Sequence, residues 1–193
     1  MAAVAAGLSI FGENRVQEAE TKVGAVEGAA WHLIGPLQSN KAKRALRLFT
    51  VIESVDSLEL AERLDRLASE VRPGERVPVL LQVNVDADAA KAGFAPAELA
   101  AALPGLERLE RLELRGLMTV GRLVERAEEA RSTFVALREL SARLRATGPG
   151  GGGSGRLGPE LSMGMSDDYS IAIEEGATIV RVGRALFGER HHP

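Results

Sequence analysis

Two short stretches in the last third of the chain carry residue types suited to holding an anion. Ser162-Met-Gly-Met-Ser-Asp-Asp168 sets two hydroxyls around a glycine, just before a segment from Asp168 to Glu175 that reads as a short helix. Small hydroxyl residues and glycine at a helix start present backbone N–H groups, the usual cradle for a phosphate. Arg181-Val-Gly-Arg184 adds two guanidinium groups around a second glycine. Arg181 can act as a phosphate ligand, as a partner for a ring nitrogen or as an ion-pair former, and its residue type leaves all three open. Further polar groups close other apolar runs: Gly12-Glu-Asn14, His32, Gly35 to Lys41, Ser54 and Asp56, Asn84 and Asp86, and Met118-Thr119. Each alone reads as a turn or a helix cap. Together they predict a ring of polar groups at one end of the fold.

Other chemistries are excluded by what the chain lacks. There is no cysteine, which removes disulfides, thiolate catalysis and Cys-based metal sites. His32 stands alone in an apolar run, and His191 and His192 lie in the tail, so no histidine shares ligand spacing with carboxylates and no metal site is expected. G-x-S-x-G, a Walker loop and a strand-borne G-x-G-x-x-G are missing. With 24 Lys plus Arg against 27 Asp plus Glu, the net charge of -3 argues against a nucleic-acid partner. No apolar run reaches the roughly 18 residues of a membrane span, and Met1 to Leu8 lacks the basic front of a signal peptide, so a cytoplasmic protein is expected.

The elements that must position these groups alternate. Strands are predicted at Leu8–Phe11, Trp31–Ile34, Thr50–Ser54, Val77–Val85, Leu112–Val120, Glu160–Met165 and Thr178–Phe187. Helices are predicted at Arg15–Val26, Asn40–Phe49, after Asp56 or Ser57, at Ala97–Leu103, at Glu125–Ala146 and at Asp168–Glu175. Lys41, Lys43, Arg44 and Arg47 make one basic helix face, read as solvated surface. Strand and helix in alternation imply a parallel sheet, either an open doubly wound one or a (β/α)8 barrel, with function at the carboxyl ends of the strands. The barrel needs eight strands and seven are found. At 193 residues the chain is a single domain, 1–193, interrupted by a Gly-rich loop at 148–158 that is expected to be flexible.

The motifs resemble those of the pyridoxal-phosphate homeostasis protein family, also known as the proline synthetase co-transcribed family. The resemblance is carried by Phe11-Gly-Glu-Asn14 with Gln17-Glu18, Trp31-His-Leu-Ile-Gly-Pro-Leu-Gln-Ser-Asn-Lys41, Lys91-Ala-Gly-Phe94, Arg115-Gly-Leu-Met-Thr119, Leu161-Ser-Met-Gly-Met-Ser-Asp-Asp168 and Val180-Arg-Val-Gly-Arg-Ala-Leu-Phe-Gly188. It runs from about Gly7 to Gly188 in the family's order. It implies a TIM-type barrel of fold type III, alanine racemase-like, that binds pyridoxal 5′-phosphate and acts in vitamin B6 homeostasis without catalysis. The alternatives are a pyridoxal-phosphate-dependent racemase-like enzyme and an inactive fragment. A racemase would need a second base, commonly a tyrosine from a second domain, whereas Tyr169 is the one tyrosine and no second domain follows, which also favours a monomer.

Carried over by motif, Asn14 sits beside the cofactor ring and Arg181 faces the pyridine nitrogen. Ser162 and Ser166, with the N–H groups near Gly164, bind phosphate together with the backbone of Gly183 and Arg184. His32, Ser39 and Met118 line the wall. The family's first strand ends in a Schiff-base lysine, and the chain begins after it, so seven strands of the eight are expected. None of Lys22, Lys41, Lys43 and Lys91 occupies that lysine's position.

Overall fold

The computed structural model describes residues 2–122, 124–147 and 155–188. A short helix α1 (Ala2–Ala5) leads into β1 (Ile10–Glu13) and α2 (Val16–Lys22). Then follow β2 (Ala30–Leu33), α3 (Ala42–Leu48), β3 (Val51–Val55), α4 (Leu58–Val71), β4 (Val77–Gln82), α5 (Pro96–Leu106), β5 (Leu112–Met118) and α6 (Arg131–Ala146). The chain continues through β6 (Glu160–Met165), α7 (Tyr169–Glu174), β7 (Ile179–Arg181) and α8 (Arg184–Phe187). All neighbouring strands are parallel and lie in sequence order, β1 to β7, in one curved sheet that forms a nearly closed barrel. Parallel neighbours require a crossover, and α2 to α7 each supply one over the outer face.

Side-chain alternation divides the interior in two. Leu33, Ile52, Val79, Leu81, Leu117, Leu161 and Met163 turn outward into the layer beneath the helices, where they meet Leu46, Leu64, Leu99 and Phe134. Phe11 and Trp31 join this layer, with ring centroids 5.5 Å apart. The inner face of the barrel is different. Val51, Leu80 and Met118 are buried yet stand apart from the outer cluster, and their inner-face neighbours are polar: His32, Glu53, Ser162 and Arg181.

The helices form where pattern and caps agree. In α4 the Ser57 hydroxyl accepts Leu60 N–H at 3.3 Å, while Leu60, Ala61, Leu64 and Ala68 make its buried stripe. Pro96 opens α5, where a missing N–H costs nothing, and the Glu98 carboxylate takes the Ala95 N–H at 3.0 Å. The sequence predicts this helix at Ala97–Leu103. The helix runs on to Leu106 because Pro104 stands on an exposed face of its last turn while Leu103 and Leu106 are buried below it.

Other boundaries also differ from expectation: β1 starts two residues later, α2 ends at Lys22 and β4 ends at Gln82. The long segment after β5 begins with a 3-10 turn, Ala127–Ala130, before α6. The last strand is three residues long, not the ten expected. Gly183 ends it, and its carbonyl accepts Leu186 N–H at 3.0 Å and Phe187 N–H at 2.9 Å to start α8. The expected flexible loop at 148–158 divides. Residues 148–154 lie outside the described residues, but its far end is packed. Leu157 is buried, and Gly158 N–H donates to Leu114 O at 2.7 Å, so the edge of β5 draws that end into the sheet.

Candidate functional site

The carboxyl ends of the strands gather most of the predicted polar residues, and packing sorts them by role. The loops after β6 and β7 are joined to each other. Ala185 N–H donates to Ser166 Oγ at 3.3 Å, and the Arg184 guanidinium pairs with the Asp167 carboxylate. That ion pair neutralises the exposed Asp167 carboxylate, which would otherwise repel an anion. Gly183 faces open space: a Cβ built there meets no atom within 4 Å. Helices α7 and α8 have only six and four residues, so their dipoles add little, and backbone N–H groups with the Ser166 hydroxyl are the available donors.

Below this junction a buried polar chain crosses the barrel interior. Arg181, on β7, donates from Nη1 to Ser162 Oγ at 2.7 Å and from Nη2 to Thr119 O at 2.7 Å. The Ser162 hydroxyl donates in turn to Glu53 Oε2 at 2.5 Å, and the other Glu53 oxygen lies 2.6 Å from His32 Nδ1. An ionised carboxylate only accepts, so His32 carries its proton on Nδ1 and Ser162 turns its lone pairs to Arg181. Burial pushes the Arg181 guanidinium below its usual range, and the charges of Glu53 and Asp168 oppose that shift.

Other predicted residues have structural tasks. Ser162 is fully buried with its hydroxyl both donating and accepting, so its side chain is occupied inside the barrel. Gly164 has φ +89, and a Cβ there would stand 2.5 Å from the Ala172 Cβ, so its lack of a side chain lets α7 lie against β6. His32 is 6 % exposed and turned to Glu53, and Met118 is buried on the inner face. Asn14 ends β1 with its own N–H donated to Glu13 Oε1 at 2.8 Å. Ser39 lies in the 3-10 turn before α3, and its carbonyl takes Arg63 Nε at 2.7 Å. Asn84 organises the loop after β4 through Asp88 N–H and O, at 3.0 and 2.8 Å. Asp86 holds the Thr133 hydroxyl of α6 at 2.7 Å.

Glu53 escaped sequence reasoning. The available signal was a charged residue at the centre of Val51-Ile-Glu-Ser-Val55, a strand otherwise built for full burial. Such a carboxylate needs partners within the fold.

Three of the lysines are engaged. Lys22 Nζ lies 2.5 Å from Glu13 Oε2, Lys43 Nζ 2.9 Å from Glu70 Oε2, and Lys91 Nζ donates to Gly121 O at 2.5 Å. The basic face of α3 is exposed, and Arg44 pairs there with Glu20.

A parallel barrel of this kind is the fold of the alanine racemase N-terminal domain. The family model of that domain matches residues 1–191. The pyridoxal phosphate homeostasis protein of Pseudomonas aeruginosa is 44% identical over 193 residues, spanning 97% of this chain and 77% of that protein. Its counterpart in a Synechocystis species is 41% identical over 192 residues, spanning 98% and 84%. The structure of PipY from Synechococcus elongatus with PLP bound superposes with a TM-score of 0.86 at 45% identity, over 96% of this chain and 84% of that one. The chain belongs to the pyridoxal phosphate homeostasis protein family. Its likeness to the alanine racemase of Clostridium difficile, at 18% identity, TM-score 0.75 and 48% of that chain, extends to the fold alone. Among the described residues no helix is long and apolar enough to cross a membrane.

Proposed function

We propose that this chain binds pyridoxal 5′-phosphate reversibly, as a non-catalytic, cytoplasmic component of vitamin B6 homeostasis. The observation that carries the reading is the junction of the β6 and β7 loops. Ser166, Gly183 and the backbone of Arg184 converge there above Arg181, with open space over Gly183. A relative solved with PLP bound shares this fold at 45% identity, which supports the same ligand here.

The residues present fit the group. Backbone N–H groups and the Ser166 hydroxyl hold the phosphate. Gly183 lets its oxygens approach the main chain. Asn14, after β1 on the other side of the seam, and Met118 bound the ring. Bound pyridoxal phosphate supplies an aldehyde reactive towards amines and an aromatic ring able to accept electrons. Arg181 works against the second property. A guanidinium has donors and no acceptor, so facing the ring nitrogen it keeps that nitrogen unprotonated and weakens the ring as an electron sink. Ser162, Gly164 and His32 support these contacts from below.

Lys22, Lys43 and Lys91 are each held by an acceptor of the fold, which supports non-covalent capture by these residues. The test combines calorimetric titration with borohydride reduction of the mixture and peptide mass analysis. Saturable, reversible binding at one site, without stoichiometric labelling of Lys22, Lys41, Lys43 or Lys91, is expected. Lack of saturable binding would overturn the reading. Full labelling of one of those lysines would replace it with a covalent mode.

A further inference from the structure

Glu53 is 1 % exposed and touches nothing at the mouth of the barrel, yet it joins four strands. One oxygen holds His32 of β2, the other holds Ser162 of β6, and Ser162 passes the link to Arg181 of β7. The direction of each bond follows from chemistry. The carboxylate has only lone pairs, so it commits the Ser162 proton to itself. Ser162 can then only accept from Arg181. The second tie of Arg181, to Thr119 O at 2.7 Å, fixes the guanidinium plane, because two donors of one rigid fork are held at once. The other buried carboxylate near Arg181, Asp168, is occupied by Met165 N–H at 2.6 Å. Glu53 is thus the acidic end of the chain that orients Arg181.

We infer that Glu53 is a positioning residue for Arg181: acting through the Ser162 hydroxyl, it fixes the guanidinium plane and so gives the site its preference for a ligand ring bearing a nitrogen acceptor. The inference rests on the pyridoxal-phosphate reading above and adds the origin of ring selectivity to it. A glutamine at 53 shows why charge matters, not only shape. Its amide has one accepting and one donating end, while His32 Nδ1–H and Ser162 O–H both require acceptors. Either His32 changes tautomer, or Ser162 turns its proton towards Arg181 and the link breaks.

The test compares two non-aldehyde ligands, so that lysine chemistry plays no part. They are pyridoxine 5′-phosphate and its carbocyclic counterpart with a ring CH in place of the nitrogen. Inorganic phosphate serves as a third probe, for the cradle alone. The wild-type chain should prefer the nitrogen ligand by about tenfold or more, the range of a hydrogen bond to a charged group. Glu53→Gln should bring that ratio close to one and leave phosphate affinity unchanged, Arg181→Met should bring the ratio close to one by removing the ring contact itself, and the double variant should lose no further preference. A merely structural lesion would weaken both ring ligands together and preserve the ratio. Nitrogen-15 NMR of the ligand-free protein should show His32 protonated on Nδ1, with that signal altered in Glu53→Gln. Should Glu53→Gln fail to fold, Ser162→Ala breaks the same chain at its next link and should give the same loss of preference. Retained preference in Glu53→Gln, or in Ser162→Ala, alongside its loss in Arg181→Met would overturn the role of Glu53. Equal wild-type affinity for the two ring ligands would also overturn it. Wild-type indifference to all three probes would instead remove the binding reading itself.

Discussion

The carbonyl oxygen of Asn14 stands 2.3 Å from the position a Cβ on Gly35 would occupy, and the Asn14 Cα stands 2.7 Å from it. The turns after β1 and β2 therefore touch main chain to main chain. Only a residue without a side chain allows this contact, and it places Asn14 at the mouth of the barrel. Gly35→Ala must push the two turns apart. The expected cost is about 1–3 kcal/mol of stability, typical of overpacking. Weaker binding of pyridoxal phosphate should accompany it as Asn14 moves. Urea unfolding and calorimetry on one preparation check both effects, and an unchanged midpoint would show that the turns yield freely.

Gly183 behaves in the opposite way. Its φ of -114 is open to any residue and its Cβ position is empty, so Gly183→Ala should fold and unfold like the wild type. Gly183→Asp should also fold, and its effect should be confined to charge. A carboxylate in the cradle repels phosphate, and affinity for pyridoxal phosphate should fall at least tenfold. Ser166→Ala removes one neutral hydrogen bond, for a loss of about 1 kcal/mol. Wild-type affinity in Gly183→Asp would place the phosphate elsewhere.

The order of elements, and the gathering of polar residues at the carboxyl ends of the strands, were legible because both follow from local signals. Alternating apolar runs and helical stripes mark the seven units, and glycine with hydroxyl residues marks the loops after β6 and β7. The polar chain inside the barrel was not legible. Glu53 and Ser162 are 109 residues apart, and no local pattern pairs them. Sequence could place Ser162 near the mouth, but not show that a carboxylate from β3 already takes its proton. The packing task of Gly164 was hidden for a related reason: a glycine beside hydroxyl residues suits a phosphate loop, and nothing local shows that this one also makes room for Ala172. The end of β7 was missed because Val180 to Phe187 is apolar enough for a strand, and only the turn at Gly183 diverts it into α8.

Stability should respond to pH through two carboxylates of opposite sense. The Arg131 guanidinium, then that of Arg138, holds Glu175 below the usual glutamate range. Its contribution is therefore complete above the ordinary glutamate range and fades as pH falls through its depressed value. Glu175→Gln should lower the urea midpoint at neutral pH and converge with the wild type on acidification. Asp56 is shifted upward by burial, against the opposing Ser57 hydrogen bond. Its contribution is present at low pH and lost as pH rises through the raised value. Asp56→Asn should raise the neutral-pH midpoint, and the gain should vanish in acid. Parallel displacement of either variant from wild type at every pH would remove the titration as cause.

The remaining prediction concerns the two ends of the sheet. Among the described residues β1 pairs only with β2, and β7 only with β6, which leaves an edge on each side of the seam. Exposed edges invite pairing with another chain, and natural sheets blunt them with short strands or charge. At three residues β7 is short. The β1 edge is less guarded: Ile10 is 57% exposed and Leu8 40%, with no lysine on the strand. The monomer expected from sequence should therefore hold only in dilute solution, with association growing as concentration rises. Ile10→Lys adds charge to that edge and should shift the association to higher concentration. Leu186 and Phe187, 58% and 63% exposed on α8, test the alternative of side-chain stickiness. Leu186→Ser with Phe187→Ser should change association less than Ile10→Lys if backbone pairing at β1 dominates. Sedimentation velocity over a hundredfold concentration range decides between them: Ile10→Lys indistinguishable from wild type, with the α8 variant monomeric, would move the contact from the β1 edge to α8.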